Sequence, residues 1–441
     1  MPASRSPARP CRGRRRSWVA QAAALALVLA AVPVRAQVAP VAGQPDGAAV
    51  PGSELRVWLV TIGPGQAVWE RFGHNAIRIL DTRTGRDVSY NWGIFDFRQT
   101  DFVPRFLQGR MLYSMAPYDT QGMIAAYGRD GREVILQELA LAPDRALALR
   151  DFVDRNALPE NRDYFYDYFR DNCSTRVRDA LDMALGGALA RQFRGGTNGT
   201  TWRFHIRRLT EMDPFLYTGM DLLLGTPGDA PIGVWEEMFL PMTLRDALRE
   251  VEVAGPDGTL RPLVASEQVV VPPTLPPEST RPPVWVHWYL LVGVLLGGVI
   301  YGSATAVARS GPDGRATGPR VVLAVVGGAW EALAGVAGVI LVAVLFTDHT
   351  FMYRNANLLL ASPLSLVAAA GVVLAAVRGR APGWSVAAAW VVVAVAASGM
   401  IVELLPGMAQ TNAIFHALAL PAHLGVVAAL RHLSAAQPPG A

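Results

Sequence analysis

The sequence predicts an α+β domain followed by an all-α bundle of five membrane-spanning helices, and three observations predict it. Charged residues almost vanish from the last third of the 441-residue chain outside short loops. Before that point, runs with strand-like alternation are interleaved with runs of helical spacing. The length also exceeds what one ordinary core accommodates.

The chain begins with a basic stretch carrying Arg5, Arg9, Arg12, Arg14, Arg15 and Arg16. An apolar run from Trp18 to about Val32 follows, and then Val34, Arg35 and Ala36. That order is the pattern of a secretory signal, with cleavage expected after Ala36. An uncleaved anchor helix is the alternative. Residues 37–52 read as a Pro/Gly/Ala linker, 53–271 as the exported domain, and 272–283 as a proline-rich, semi-rigid tether to the bilayer. Apolar stretches at 284–308, 320–346, 358–377, 385–405 and 411–430 each approach the ~20 residues that cross a bilayer. Residues 431–441 would be a cytoplasmic tail. With the N-terminal domain outside, the inner loops hold Arg309, Arg315, Arg378 and Arg380 and the tail holds Arg431, whereas Arg354 alone marks the outer loops. The positive-inside rule therefore agrees with export and implies a bacterial inner-membrane protein with a periplasmic domain. Pro363 and Pro421 leave open a count of four or six.

Within the exported domain, Leu55 to Ile62 reads as a strand closed by Gly63, Pro64 and Gly65. His74 to Leu80 and Val88 to Ile94 form a hairpin about Thr84, Gly85 and Arg86. Further strands are expected at Met111–Met115 and Glu133–Leu141, and a helix over Asp144–Asn156. A tyrosine-rich connection, 159–170, leads to Asp171, Asn172 and Cys173. There a helix starts, because Val177, Leu181 and Leu185 recur every fourth residue until Gly186 and Gly187 stop it. Helices are also expected over 201–212 and 241–251, and a hairpin about Gly255–Gly258.

The cysteine arithmetic is informative. Cys11 lies in the segment expected to be removed, leaving Cys173 as a lone thiol in an oxidising compartment. A thiol at a helix N-terminus is acidified by the dipole and unpaired amides, so thiolate is expected at neutral pH. A nearby histidine would complete a nucleophile and base, and His74 and His205 are the candidates in this domain. His74 is preferred because it opens a strand whose side chain could point at the helix terminus. The plain alternatives are an inert core thiol and a structural histidine. No histidine pair here has metal-ligand spacing, and no metal or cofactor is expected. The formal charge is +4 with no lysine, and no basic stripe with interleaved aromatics argues for nucleic acid. His416 and His423, on one face of the fifth span, receive no role.

The runs Arg71 Phe72 Gly73 His74 Asn75, Tyr90 Asn91 Trp92 Gly93, and Tyr166 Asp167 Tyr168 Phe169 Arg170 Asp171 Asn172 Cys173 Ser174 Thr175 Arg176 closely resemble the Lnb N-terminal periplasmic domain family. The likeness covers about residues 50–270. It extends to Asp348, His349, Asn355, Asn357, Leu358, Leu359 and Pro363, which look like the family's first outer loop. The resemblance implies a permuted papain-like domain in which histidine precedes cysteine. By it, Cys173 is the nucleophile and His74 the base. Asn91 is taken as the orienting third group, with Asn75 as the alternative.

The activity so implied is that of a membrane-bound thiol acyltransferase. An acyl chain would pass from a phospholipid to Cys173 as a thioester, then to the α-amine of a lipoprotein's N-terminal cysteine. The loop with His349, Asn355 and Asn357 is a candidate for holding the lipid headgroup, and plain helix capping by the two asparagines is equally open. Two other readings stand: a papain-like peptidase or amidase acting on cell-wall peptides, since one fold supports both chemistries, and a non-catalytic membrane scaffold.

Overall fold

A computed structural model describes residues 50–255, 257–310 and 317–435. The expected signal segment, Cys11, most of the linker and the end of the tail lie outside the described residues.

The exported half is built on one antiparallel sheet. Its strands are β1 (Leu55–Ile62), β2 (His74–Asp81), β3 (Asp87–Ile94), β4 (Leu112–Asp119), β5 (Val134–Leu139), β6 (Asp163–Phe165) and a last strand, Val264–Val271. Their spatial order is last–β5–β1–β2–β3–β4–β6. β1 is central, and its sequence explains why: Leu59, Val60 and Ile62 are all buried, so both faces are covered. Alternation divides it, with Val57 and Leu59 joining one core and Trp58, Val60 and Ile62 the other. The first core is closed by α3 (Pro143–Asn156) and α4 (Cys173–Ala184), the second by α2 (Thr120–Arg129).

Of the helices not anticipated from the sequence, three are the longest. These are α1 (Phe102–Gln108), α2, and α7 (Pro214–Leu223), the last following α5 (Ala188–Phe193) and α6 (Trp202–Thr210). The α1 segment has seven residues, one a proline, and α7 turns its apolar side to the membrane bundle rather than to the sheet. Neither produces a core-facing period in sequence.

Five helices long and apolar enough to cross a membrane follow: Val286–Arg309, Thr317–Val344, Asn357–Arg378, Gly383–Val402 and Ala413–Ala435. The chain is thus a multi-pass membrane protein. The third is interrupted around Pro363 between Leu360 and Ser365, and Pro421 lies inside the fifth without ending it. The fifth also runs to Ala435, so the first residues expected in the tail are helical. The first and fifth spans approach closely through glycine: a Cβ on Gly297 would sit 2.5 Å from Pro421 O. Small residues permit such backbone contact where lipid offers no hydrophobic drive.

The segment expected as a tether, 272–283, does not hang free of the domain. Arg208 Nη1 holds Glu278 at 3.0 Å and Ser279 O at 3.0 Å, and Thr274 Oγ1 donates to Gly131 O at 2.6 Å, so this segment lies along the domain. The main junction is the loop between the second and third spans. Its Phe351 is buried among Phe169, Trp202, Leu224 and Phe239, with the Phe169 ring centroid 4.3 Å away. Arg207 Nη2 adds a bond to Thr411 O at 2.6 Å, from the segment before the fifth span. Tyr217 of α7 completes the joint by packing with Leu360, Ala396 and Phe415 of the spans.

Candidate active site

The site is assembled at the end of the sheet where β2 begins. His74 is the first residue of β2, and its Nε2 lies 3.0 Å from Asn91 Oδ1 on β3. The Asn91 amide donates Nδ2 to Ser89 O at 2.9 Å, which fixes its oxygen toward the ring. Nε2 therefore carries the proton, and Nδ1 is the basic nitrogen, without a partner among the described residues.

Cys173 is the first residue of α4, and Asn172 caps that helix. The Asn172 Oδ1 accepts the N–H groups of Ser174 and Thr175, both at 2.9 Å, while its Nδ2 donates to Tyr168 O and Phe239 O. All of this amide is used in setting the helix start, as an N-cap asparagine does. A further cross-link brings the site's two halves together. Ser174 Oγ bonds Asn75 Oδ1 at 2.9 Å, and Asn75 Nδ2 donates to Thr61 Oγ1 at 2.9 Å. Thus the residue after the histidine is pinned to the residue after the cysteine. The backbone N–H of Asn75 also favours the thiolate form of Cys173.

Room for the cysteine comes from Gly93. At φ +86° it sits in an irregular stretch of β3, and a Cβ there would lie 3.4 Å from Cys173 Cβ and 3.5 Å from the Tyr166 ring. The aromatic ring of Tyr166 stacks on Tyr113 at 4.2 Å. Beyond Tyr166 a cleft of about 50 Å³ continues past Tyr168 and Met111 to His349, Phe351 and Met352 of the membrane loop.

Electrostatics correct one expectation. Burial pushes the Cys173 thiol up, against the N–H groups of Asn75, Ser174 and Cys173 and the Arg132 charge. The acidified thiolate expected from the helix terminus alone is not the resting state, because Cys173 is only 9 % exposed. His74 is lowered to about 4, mainly by burial, with Asn91 opposing and Arg132 adding to the shift. The resting pair is thiol and neutral imidazole. Arg132 acts on both members in the useful direction, favouring thiolate and disfavouring imidazolium. It is buried, donates Nε to Gly63 O at 3.0 Å, and lies over the Tyr127 ring. An arginine after Gly131 in a turn-like stretch gives no sign of this in sequence.

The remaining residues singled out in the sequence fall elsewhere. Asn75 is a pin between β1, β2 and α4 rather than the orienting group. His205 is saturated, its Nε2 on Glu237 Oε1 at 2.7 Å and its Nδ1 accepting Arg208 Nε at 3.0 Å. Of the two roles open to Asn355 and Asn357, the bonds they make are those of helix capping. Asn355 Nδ2 donates to Leu222 O at 2.8 Å and Leu223 O at 3.0 Å, and Asn357 Nδ2 to Leu222 O at 3.0 Å. Their oxygens accept from Gln410 and Asn412. Both amides cap the end of α7; Asn355 spends both of its amide hydrogens there, and Asn357 is fully buried. His349 Nε2 lies 2.9 Å from Phe106 O, which ties the loop to α1. Among the described residues no cluster suited to a metal ion occurs.

Comparison with known protein families matches residues 47–208 to the Lnb N-terminal periplasmic domain and residues 322–429 to the Lnb transmembrane domain. Comparison with curated proteins and with solved structures returned no match. The two matched regions occur in the order of the two halves described above and together span more than half of the chain. The chain therefore belongs to the Lnb family, as a multi-pass membrane protein with an N-terminal periplasmic domain.

Proposed function

We propose that this protein is a thiol acyltransferase of the bacterial inner membrane, with its N-terminal domain in the periplasm. Cys173 is the nucleophile, His74 the base and Asn91 the group that orients it. The observation that carries the reading is the His74–Asn91 bond, which commits one ring nitrogen and leaves the other without a partner among the described residues, on a strand whose next residue, Asn75, is bonded to Ser174, the residue after Cys173.

The chemistry follows from those groups. His74 Nδ1 takes the thiol proton as sulfur attacks the ester carbonyl of a phospholipid. The carbonyl oxygen gains negative charge, and N–H groups at the α4 terminus and of Asn75 are the donors available to it. Collapse expels the lysophospholipid alkoxide, which takes the proton from His74, and a thioester remains on Cys173. In the second step the α-amine of a lipoprotein's N-terminal cysteine attacks that carbonyl. His74 receives the amine proton and returns it to the departing thiolate, leaving an amide and the free enzyme. A membrane-docked site suits this donor, because an acyl chain need not leave the bilayer for a remote pocket.

The test is to incubate the purified full chain with phospholipid vesicles and measure the mass of the Cys173 peptide. A mass increase equal to one acyl group, absent in Cys173→Ala, is expected. No acyl adduct together with cleavage of cell-wall peptides would replace this reading with the amidase one.

A further inference from the structure

Beyond the thiol and its partners, the exported half carries an apolar surface that its own fold does not cover. Val103 and Leu107 on α1 are each 62 % exposed, and Trp69 and Phe97 each 60 % exposed. Val103 and Leu107 are one helical turn apart and share a face. The four are linked through packed rings: Trp69 to Phe97 at 5.8 Å, Phe97 to Phe102 at 5.1 Å, and Phe102 to Phe106 at 6.5 Å. A surface of this kind on a folded domain marks a contact.

Its position identifies what covers it. The second span ends at Val344, and three backbone or side-chain bonds tie α1 and the residues after it to the segment that follows directly. Asp348 N donates to Gln108 O at 2.8 Å, Arg110 Nε holds Asp348 Oδ2 at 2.6 Å, and His349 Nε2 meets Phe106 O at 2.9 Å. The approach is close: a Cβ on Gly109 would stand 2.9 Å from the Asp348 carbonyl carbon. Leu345 and Phe346, which directly follow that span, are themselves uncovered. The apolar face of α1 is therefore continuous with the lipid-facing side of a span, at its outer end.

We propose that α1, with the Trp69–Phe97 edge, is a wedge that inserts into the outer leaflet of the bilayer. The occupant of the surface is lipid. Amphipathic segments bury an apolar face at the headgroup–acyl boundary in this way, and aromatic rings favour that depth. From the wedge, ring contacts lead inward: Phe102 to Phe95 at 6.5 Å, Phe95 to Tyr113 at 5.2 Å, and Tyr113 to Tyr166, which borders Gly93 and Cys173. The wedge so placed opens an apolar path from leaflet to sulfur. That last step rests on the acyltransferase reading, whereas insertion itself does not.

The experiment uses the full chain in phosphatidylethanolamine–phosphatidylglycerol vesicles. Cys173→Ser removes the thiol, and a fluorescent label is attached at Val103→Cys, at Leu107→Cys, or at Arg83→Cys in the turn at the far end of the β2–β3 hairpin. Labels at 103 and 107 are expected to be quenched by lipids carrying a nitroxide high on the acyl chain and shielded from aqueous iodide, and the label at 83 the reverse. Equal iodide quenching at all three positions overturns the proposal. So does shielding at 103 and 107 that appears only when a lipoprotein is added, since the surface would then dock protein. A second arm measures the Cys173 acyl adduct in Val103→Asp/Leu107→Asp. Its formation from vesicle phospholipid should fall roughly tenfold or more, the loss of apolar burial expressed as a binding constant. Reaction with a water-soluble short-chain ester should be unchanged. Equal loss with both donors overturns the lipid path. If wild type forms no adduct with either donor, the acyltransferase reading fails, and the quenching result alone still decides insertion.

Discussion

His74 and His205 are both held by partners in the same domain, yet their surroundings differ in one respect that separates a reactive ring from a strut. His205 spends both nitrogens, one on Glu237 and one on Arg208, whose guanidinium continues to Glu278 and the segment leading to the membrane. His74 spends one nitrogen on a neutral amide and keeps the other. A carboxylate partner with an arginine on the far side makes a fixed link in a structural chain. An amide partner orients a ring without supplying charge; burial keeps that ring neutral, and its second nitrogen remains available to take a proton.

That contrast is open to attack. The largest effect expected is loss of the acyl adduct in Cys173→Ala, followed by a fall of about 10²–10⁴-fold in its rate of formation in His74→Gln, both read by mass spectrometry of the peptide. His205→Gln should instead leave adduct formation within a small factor of wild type. Its cost belongs to stability, about 2 kcal/mol for bonds to charged groups, measurable as a lowered Tm of the full chain. A large rate loss in His205→Gln with unchanged Tm would reverse the assignment of the two rings.

Asn91→Ala should lower the rate less than His74→Gln, and its pH profile should also change, because the ring loses the acceptor that fixes its tautomer. The pH dependence of wild type follows from His74 being lowered to about 4. The neutral imidazole is the base, so adduct formation on the acid side should hold as pH falls through 6.5 and decline only near 4. Stability has the same sign. The folded protein binds this proton less readily than the unfolded chain, so the contribution is complete above about 6.5 and is lost as pH falls toward 4. A rate that halves near 6.5 would show an unperturbed ring. The smallest expected change is that of Asn355→Ala, about 1 kcal/mol from uncapping α7, without change in the adduct rate of the folded protein.

Much of this arrangement could be read in the chain, and the limits have physical causes. The strands β1 to β3, the start of α4 and the five spans announce themselves because their periodicity or length exceeds what chance composition produces. His74 and Cys173 stood out as residues in the sequence, and Asn91 was singled out by its place on the strand beside His74. What could not be read is geometry set by distant partners. The amides of Asn355 and Asn357 close on carbonyls of α7, which lies more than a hundred residues earlier. Arg132 shapes both titrating groups from a loop that resembles ordinary surface. The thiol's acidity was misjudged for a related reason: a helix terminus is visible in sequence, but the burial that outweighs it is not. The α1 segment escaped notice because it is short, contains a proline, and turns Val103 and Leu107 outward rather than toward a core.

The burial of Phe351 in the aromatic cluster of the exported half has a practical meaning. A fragment ending before the first span would lack a ring from its own interior, leaving Trp202, Phe169 and Phe239 around a void worth about 3–5 kcal/mol. Soluble truncations are therefore unsuitable surrogates for the whole protein. Neither half can be exchanged for a relative's without matching the lock that one supplies and the other receives.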